Sequence, residues 1–248
     1  MIAGIFHSGS GLGDQLMRYI TVRTLAEDKG YASALLNWHN FKGESFMDLQ
    51  PRVAWQPQNA AYWNEKEIKE NGVDIRSYDP EINFIEDNTI IDGCFEDEKY
   101  WGHRFDDIRN WLAVEPLFVD DFVCSIGFRA GEFKTVPDLF LPKSYWDEAI
   151  SIMRKINPSM SFVVHTDDVV TAKEFFPDFE CIHNVGINWR AFRYSKYSII
   201  SNSAFYIMPS LLNQKAEKII APRYWARRNI KTWARPACYY KDKRFMYI

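Results

Sequence analysis

A chain of 248 residues with a formal net charge of −3 is long enough to bury one large core or two modest ones. An apolar share of 47% and a charged share of 25% are ordinary for a globular protein and exclude wholesale disorder. The slightly acidic balance argues against a general nucleic-acid-binding surface, so no nucleic-acid partner is expected.

Ile2 to Phe6 reads as a short buried strand, followed by a loop from His7 to Gly13 and a helix from about Asp14 to Lys29. Gly30 supplies that helix's stop signal. Ala32 to Leu36 is the next expected strand. The stretch from Asn37 to Asn88 is rich in Trp, Asn and Pro, with one helix expected near Ala61 to Glu70. Ile90 and Ile91 suggest a strand, and Glu96 to Leu112 a helix. Beyond residue 120 the pattern sharpens. Phe122–Ile126, Phe162–Val164, Ser198–Ile200 and Lys218–Ile220 read as strands, separated by helices. The first of those helices starts at Pro142 and Ser144, with Asp147 three residues after the Ser. The next two cover Val170–Phe176 and Ala204–Leu212. Strands alternating with helices mean parallel sheets. A break near residues 113–120 divides the chain into lobes covering 1–118 and 119–248.

Cys94, Cys124, Cys181 and Cys238 form no Cys-x-x-Cys pair, which fits buried free thiols better than zinc ligands or a disulfide framework. Met1 to Phe6 is too short for a secretory leader, and no stretch approaches a membrane span, so a cytoplasmic protein is expected. Arg223, Arg227, Arg228, Lys231, Arg235, Lys241, Lys243 and Arg244 gather in the tail among aromatic residues. Two readings stay open there: a packed segment with snorkelling cations, or peripheral contact with an anionic membrane.

Ligands of open parallel sheets bind at the carboxyl ends of the strands. In the second half that rule selects Gly127–Glu132, His165–Asp168 and Ser201–Phe205, all polar. Arg129, in a turn between Gly127 and Gly131, suits a diphosphate oxygen through paired charge-assisted hydrogen bonds; the alternative is a surface salt bridge. Glu132 is an acid/base group, an orienter of Arg129, or a solvated carboxylate. Asp167 and Asp168 either grip ribose hydroxyls or a base edge, or Asp168 caps the next helix. Ser201, Asn202 and Ser203 open a helix and suit phosphate, the alternative again being a cap. In the first half, Gly9 to Gln15 is a glycine loop between strand and helix. Its spacing matches neither the dinucleotide fingerprint nor a P-loop. It is either an anion-binding turn or a tight turn with Asp14 as N-cap. His7, His165 and His183 lack metal-site spacing, and no metal is expected.

With these segments read, the chain resembles the family 11-type (α-1,2) fucosyltransferases, within the wider α-1,2/α-1,6/protein O-fucosyltransferase superfamily. Gly11-Leu12-Gly13-Asp14-Gln15-Leu16 is similar to the family's G-L-G-N-Q-L opening. Gly127 to Phe133 resembles its H-x-R-R-G-D-Y segment, and Phe162 to Asp168 its F-x-x-F-S-D-D strand end. Ile199 to Phe205 resembles I-I-A-N-S-T-F, and Ile220 to Trp225 the I-A-P-x-x-W that follows.

The resemblance implies a GT-B-like α/β fold of two Rossmann-like lobes with parallel sheets facing a cleft. The C-terminal lobe would hold GDP-fucose and the N-terminal lobe the glycan acceptor. It implies an inverting, metal-independent transfer of fucose to a glycan hydroxyl, with no cofactor beyond the donor. Arg129 would hold the diphosphate and offset charge on the leaving group, electrostatic stabilisation worth about 2.7–4 kcal/mol per donor. Asp167 or Asp168 would meet the nucleoside, and Ser201, Asn202 and Ser203 the phosphates. Gly11 and Gly13 would let the first-lobe loop approach the donor.

Four positions depart from the pattern: Gly127 replaces its His, Ala130 its second Arg, Glu132 its Asp and Asp14 its Asn. A carboxylate at residue 14 makes Asp14 the expected base for the acceptor hydroxyl, with Glu132 next, although helix-start N–H groups would weaken that base. The missing His and Arg keep two alternatives open: another nucleotide-sugar on the same fold, or a binding module without turnover.

Overall fold

The computed structural model describes residues 1–70, 73–136, 139–224 and 241–248. Trp225 of the last motif, the tail cations Arg227, Arg228, Lys231 and Arg235, and Cys238 lie outside the described residues. The chain divides into two compact units, Met1–Val114 and Glu115–Ile248. It is an α/β protein built on two parallel sheets, as strands alternating with helices imply.

The first unit contains strand β1 (Ile2–Ile5), helix α1 (Leu12–Lys29), strands β2 (Ser33–Leu36) and β3 (Ala61–Asn64), an antiparallel pair β4 (Glu67–Glu70) and β5 (Val73–Arg76), strand β6 (Thr89–Asp92) and helix α2 (Phe105–Trp111). Four of the strands form a parallel sheet in the order β2-β1-β6-β3. Helix α1 starts two residues earlier than its sequence suggests. Gly11, in extended backbone, is the N-cap. Asp14 is not; it sits at the third helical position, and its carboxylate accepts the Gly11 N–H at 3.3 Å. The helix ends as expected at Gly30, whose φ of 67° is left-handed and natural for glycine. Leu16, Met17, Ile20 and Val22 are fully or almost fully buried.

No helix forms over Ala61–Glu70. Tyr62 and Trp63 are residues of high strand preference, and β3 pairs in parallel with β6 from Ala61↔Thr89 to Asn64↔Asp92. That long-range ladder overrides the helix-forming Glu and Lys residues beside it. The helix expected over Glu96–Leu112 shortens to α2, preceded by two 3₁₀ turns. Asp97 caps the first of these through the Lys99 N–H at 3.0 Å, and Trp101 leaves helical backbone so that its buried indole reaches the Phe95 carbonyl at 3.0 Å.

The second unit contains β7 (Val123–Phe128), α3 (Lys143–Ile156), β8 (Ser161–Thr166), α4 (Val169–Phe175), β9 (Glu180–Ile182), α5 (Val185–Tyr194), β10 (Tyr197–Ile200), α6 (Ala204–Leu212), β11 (Lys218–Ala221) and β12 (Phe245–Tyr247). Its six-stranded parallel sheet runs β12-β11-β10-β7-β8-β9. Strand β9, helix α5 and strand β12 were not expected from the sequence. At the start of α3, Pro142 occupies the cap position without a side-chain cap. Ser144 is inside the helix, and Asp147 pairs with Lys143 at 2.5 Å. The core is aromatic: Phe128 lies 5.0–5.9 Å from Phe140, Trp146, Phe175 and Phe176 between ring centres. No helix among the described residues is long and apolar enough to cross a membrane.

Both sheets reverse direction once. From β7 the second sheet grows one way to β8 and β9, then restarts on the other side with β10. The first grows from β1 to β2 and restarts with β3 and β6, β6 beside β1. Such a switch point opens a crevice beyond the carboxyl ends of the two strands that flank it.

Candidate functional site

The switch point of the second sheet lies between β7 and β10, which pair from Tyr197↔Cys124 to Ile200↔Gly127. Arg129, Ala130 and Gly131 follow β7, and Ser201, Asn202 and Ser203 follow β10. The parallel register of β7 on β8, ending at Phe128↔Thr166, carries one step further and sets Arg129 beside Asp167. The Arg129 Nη1 donates to Asp167 Oδ2, and the Ala130 N–H donates to Asp167 Oδ1 at 2.9 Å. On its other side, Arg129 Nη2 donates to Glu132 Oε1 at 2.6 Å, and its guanidinium lies 5.3 Å from the centre of the Phe133 ring. Arg129 and Asp167 are about one-quarter exposed, whereas Glu132 is 73% exposed. Asp167 thus anchors the guanidinium, and Glu132 is its displaceable partner.

Gly131 makes this geometry possible. A Cβ there would stand 2.3 Å from Asp167 Oδ2, so the carboxylate occupies space that any other residue would fill. Gly127 has a different cause. A Cβ on it would meet the Tyr206 ring at 2.7 and 2.8 Å and Phe192 at 3.0 Å. The position where the resembled motif has His is filled from behind by Tyr206, whose hydroxyl donates to the His165 carbonyl at 2.8 Å. Ala130 is fully buried. Arg129 is therefore the one cation that the turn from Gly127 to Gly131 presents.

Asp168 is a helix cap: Oδ1 accepts the Thr171 N–H at 3.0 Å, and Oδ2 accepts the Thr171 hydroxyl at 2.8 Å. Lys134 adds an ion pair at 2.5 Å. The Lys134 ammonium, and then the two Thr171 donors, hold the Asp168 carboxyl down at about 2. Sequence reading missed Lys134. The signal was its place four residues after Ala130, whose carbonyl its N–H bonds at 2.8 Å to close the same turn. Ser201, Asn202 and Ser203 are buried at the end of β10. The Ser201 N–H donates to the Gly127 carbonyl at 3.0 Å, Asn202 Nδ2 to the Leu139 carbonyl at 3.2 Å, and the Ser203 side chain makes no cap bond to α6. The buried Ser201 hydroxyl has no hydrogen-bond partner among the described residues.

The other residues singled out in the sequence, Gly11, Gly13 and Asp14, belong to the first unit. Gly13 is buried in the first turn of α1, and Gly11 and Asp14 are half-buried. His165 is buried, with Nδ1 3.0 Å from Asn188 Oδ1. Burial lowers its pKa to about 4, so it is neutral at ordinary pH. Among the described residues no group of three or more His, Cys, Asp or Glu side chains is placed to hold a metal ion.

No family model matches the chain, and no curated protein matches it. Solved glycosyltransferase structures are similar to it in fold. The NodZ alpha-1,6-fucosyltransferase soaked with GDP-fucose is 12% identical, with 89% of this chain and 94% of that chain covered and a TM-score of 0.48. The fucosyltransferase NodZ from Bradyrhizobium is 12% identical over 88% and 94% of the two chains, also at 0.48. The E. coli heptosyltransferase WaaC with ADP is 10% identical over 90% and 87%, at 0.43. At these identities the similarity concerns the fold alone.

Proposed function

We propose that the chain is a glycosyltransferase that transfers fucose from GDP-fucose to a hydroxyl of a glycan acceptor, with inversion and without a metal or further cofactor. The observation that carries this reading is Arg129, held in the turn at the switch point of the second sheet by Asp167, which the Ala130 N–H fixes in turn. A fixed guanidinium with one displaceable carboxylate partner is suited to an anionic ligand that can replace that partner. The ordered set of motifs from Gly11 to Trp225 supports a nucleotide-sugar among the possible anions.

In this reading the acceptor oxygen attacks the anomeric carbon as the bond from that carbon to the diphosphate oxygen breaks, its electron pair leaving with GDP. Arg129 stabilises the charge that develops on the diphosphate. Asp167 orients Arg129, and Asp168 meets the nucleoside from the start of α4. Ser201, Asn202 and Ser203 line the phosphate side, with Gly11 and Gly13 admitting the donor at the first-unit loop. The acceptor hydroxyl needs a base, for which the motifs alone offer the carboxylates Asp14 and Glu132. A cytoplasmic location belongs to the same proposal, supported by the free thiols of Cys124 and Cys181.

Calorimetric titration with GDP tests the donor site. Arg129→Ala is expected to weaken GDP by about 10-fold or more, since a hydrogen bond to a charged group contributes roughly 1.5–3 kcal/mol. Unchanged binding would sink the donor-site assignment. A second reading, another nucleotide-sugar, is favoured by the blocked space at Gly127 and the buried Ala130, which leave the turn without the family's other two donors. Titrations with UDP and CDP, and GDP release from GDP-fucose with galactose-terminated acceptors, separate the two.

A further inference from the structure

The rule that picks out Arg129 in the second sheet applies equally to the first, and there it selects a group of a different kind. The first sheet's switch point lies between β1 and β6. At their carboxyl ends, His7, two residues past β1, meets Asp92, the last residue of β6: Nε2 of His7 is 2.8 Å from Asp92 Oδ2. Asp92 Oδ1 forms an ion pair with Arg18 Nη2 at 3.1 Å and accepts the Gly93 N–H at 3.0 Å. Arg18 Nη2 also donates to the Gly93 carbonyl at 2.8 Å. Arg18 is only 5% exposed, and its Nε and Nη1 have no hydrogen-bond partner among the described residues. A buried guanidinium of this kind is costly unless a carboxylate stays ionised beside it. Gly4 makes room for it, because a Cβ there would meet Val22 at 2.8 Å and the Arg18 Cγ at 3.1 Å.

An ionised carboxylate only accepts hydrogen bonds, so Asp92 fixes the proton of neutral His7 on Nε2. The lone pair is then on Nδ1, which makes no hydrogen bond to any described residue, on a ring that is 45% exposed. A carboxylate-oriented imidazole with its second nitrogen open is the arrangement of a general base. By contrast, the Asp14 carboxylate is engaged by the Gly11 N–H of its own helix, and that of Glu132 by Arg129.

We infer that His7 is the general base of the first unit, taking the proton of a sugar hydroxyl on Nδ1, and that Asp92 and Arg18 are its positioning residues. This rests on the glycosyltransferase reading. The hydroxyl O–H bond breaks toward Nδ1 as the new bond from oxygen to the anomeric carbon forms. The bond from that carbon to the diphosphate breaks, and the leaving group departs with its electron pair. The imidazolium, held by Asp92, later returns its proton to water.

The test measures kcat for transfer from GDP-fucose to galactose-terminated acceptors, with the GDP Kd taken separately by calorimetry. His7→Gln is expected to lower kcat by about 10²–10⁴-fold, the range for a lost general base, with the GDP Kd unchanged within about 2-fold. His7→Ala should recover part of its kcat with added imidazole. Asp92→Asn should lower kcat at unchanged donor KM, because its amide can hold the wrong tautomer. An unchanged kcat in His7→Gln would overturn the inference. So would a loss that merely follows weaker GDP binding or a lower melting temperature, or a comparable loss carried by Asp14→Asn alone. Failure of the unaltered protein to bind GDP would instead remove the reading on which the inference stands.

Discussion

Gly131→Ala probes the contact on which the second-unit site depends. The added Cβ would stand 2.3 Å from Asp167 Oδ2 and 3.1 Å from its Cγ. Heavy atoms in contact settle near 3.5 Å, so the carboxylate must retreat by roughly 1 Å. Two bonds hold it in place, from the Ala130 N–H at 2.9 Å and from Arg129. Both are charge-assisted, and a shift of that size breaks or bends them. Overpacking of this kind costs about 1–3 kcal/mol, and for a domain of this size each kcal/mol lowers the melting temperature by roughly 2–4 °C. Binding should suffer separately. A released Arg129 must be immobilised by the ligand itself, at about 0.5–1.5 kcal/mol for a long side chain, which corresponds to roughly 2–12-fold in the GDP Kd. Differential scanning calorimetry and GDP titration measure the two effects. Gly9→Ala is the control, since a Cβ at Gly9 meets nothing within 4 Å, and it should change stability by less than about 0.5 kcal/mol. If Gly131→Ala bound GDP as tightly as the unaltered protein or more tightly, Asp167 would be a competitor for Arg129 and not its anchor.

Other consequences concern the packing and charges around that site. Asp168→Ala should destabilise the second unit by about 0.5–2 kcal/mol at neutral pH, the usual cost of a lost helix cap. The Asp168 carboxyl titrates near 2 when folded, below its value near 3.9 in an unfolded chain. Its contribution is therefore complete above about pH 4 and fades as pH falls toward 2, so the melting curves of variant and parent should converge there. His165, held neutral by burial with a folded pKa of about 4, makes stability fall as pH drops from about 6.5 to 4, because only the unfolded chain takes up the proton. Chemical denaturation of His165→Gln across that window should show a shallower slope than the parent. Gly127→Ala should cost about 1–3 kcal/mol by crowding Tyr206 and Phe192, and a melting temperature equal to the parent's would contradict the packing described.

The second unit was legible where local pattern and long-range pairing agree. Apolar runs such as Phe122–Ile126 and Phe162–Val164, alternating with helices, announce buried parallel strands, and the carboxyl-end rule then selects Arg129, Asp167 and Ser201. The first unit was less legible because partners decide its structure. A helix is expected over Ala61–Glu70, yet β3 forms at Ala61–Asn64 because Thr89–Asp92 offers it a ladder. Strand β12 has three residues and exists through β11, from Ile219↔Phe245 to Ala221↔Tyr247. The pairing of His7 with Asp92 spans 85 positions and leaves no trace in spacing. Only the strand order reveals it.

The departures from the resembled motif have a physical reading that sequence could not supply. Loss of a His at position 127 looks in sequence like loss of a functional group, but the space is occupied by the Tyr206 ring, whose buried hydroxyl is tied to the His165 carbonyl. Burial raises the pKa of that phenol, so Tyr206 is a neutral packing group there and supplies no charge to a phosphate. Ala130, fully buried, leaves no room for a guanidinium in its place. The turn between Gly127 and Gly131 therefore concentrates its electrostatics in one side chain, and two carboxylates share that side chain before any ligand arrives. Under the donor-site proposal, a diphosphate displaces Glu132, whose ion pair is largely exposed and worth at most about 1 kcal/mol, while Asp167 stays bound. Glu132→Gln should then tighten GDP by up to about 5-fold, whereas Asp167→Asn should weaken it. Opposite signs for two carboxylates on one guanidinium are the signature of an anchor and a gate, and equal signs in calorimetry would show that the two play the same part.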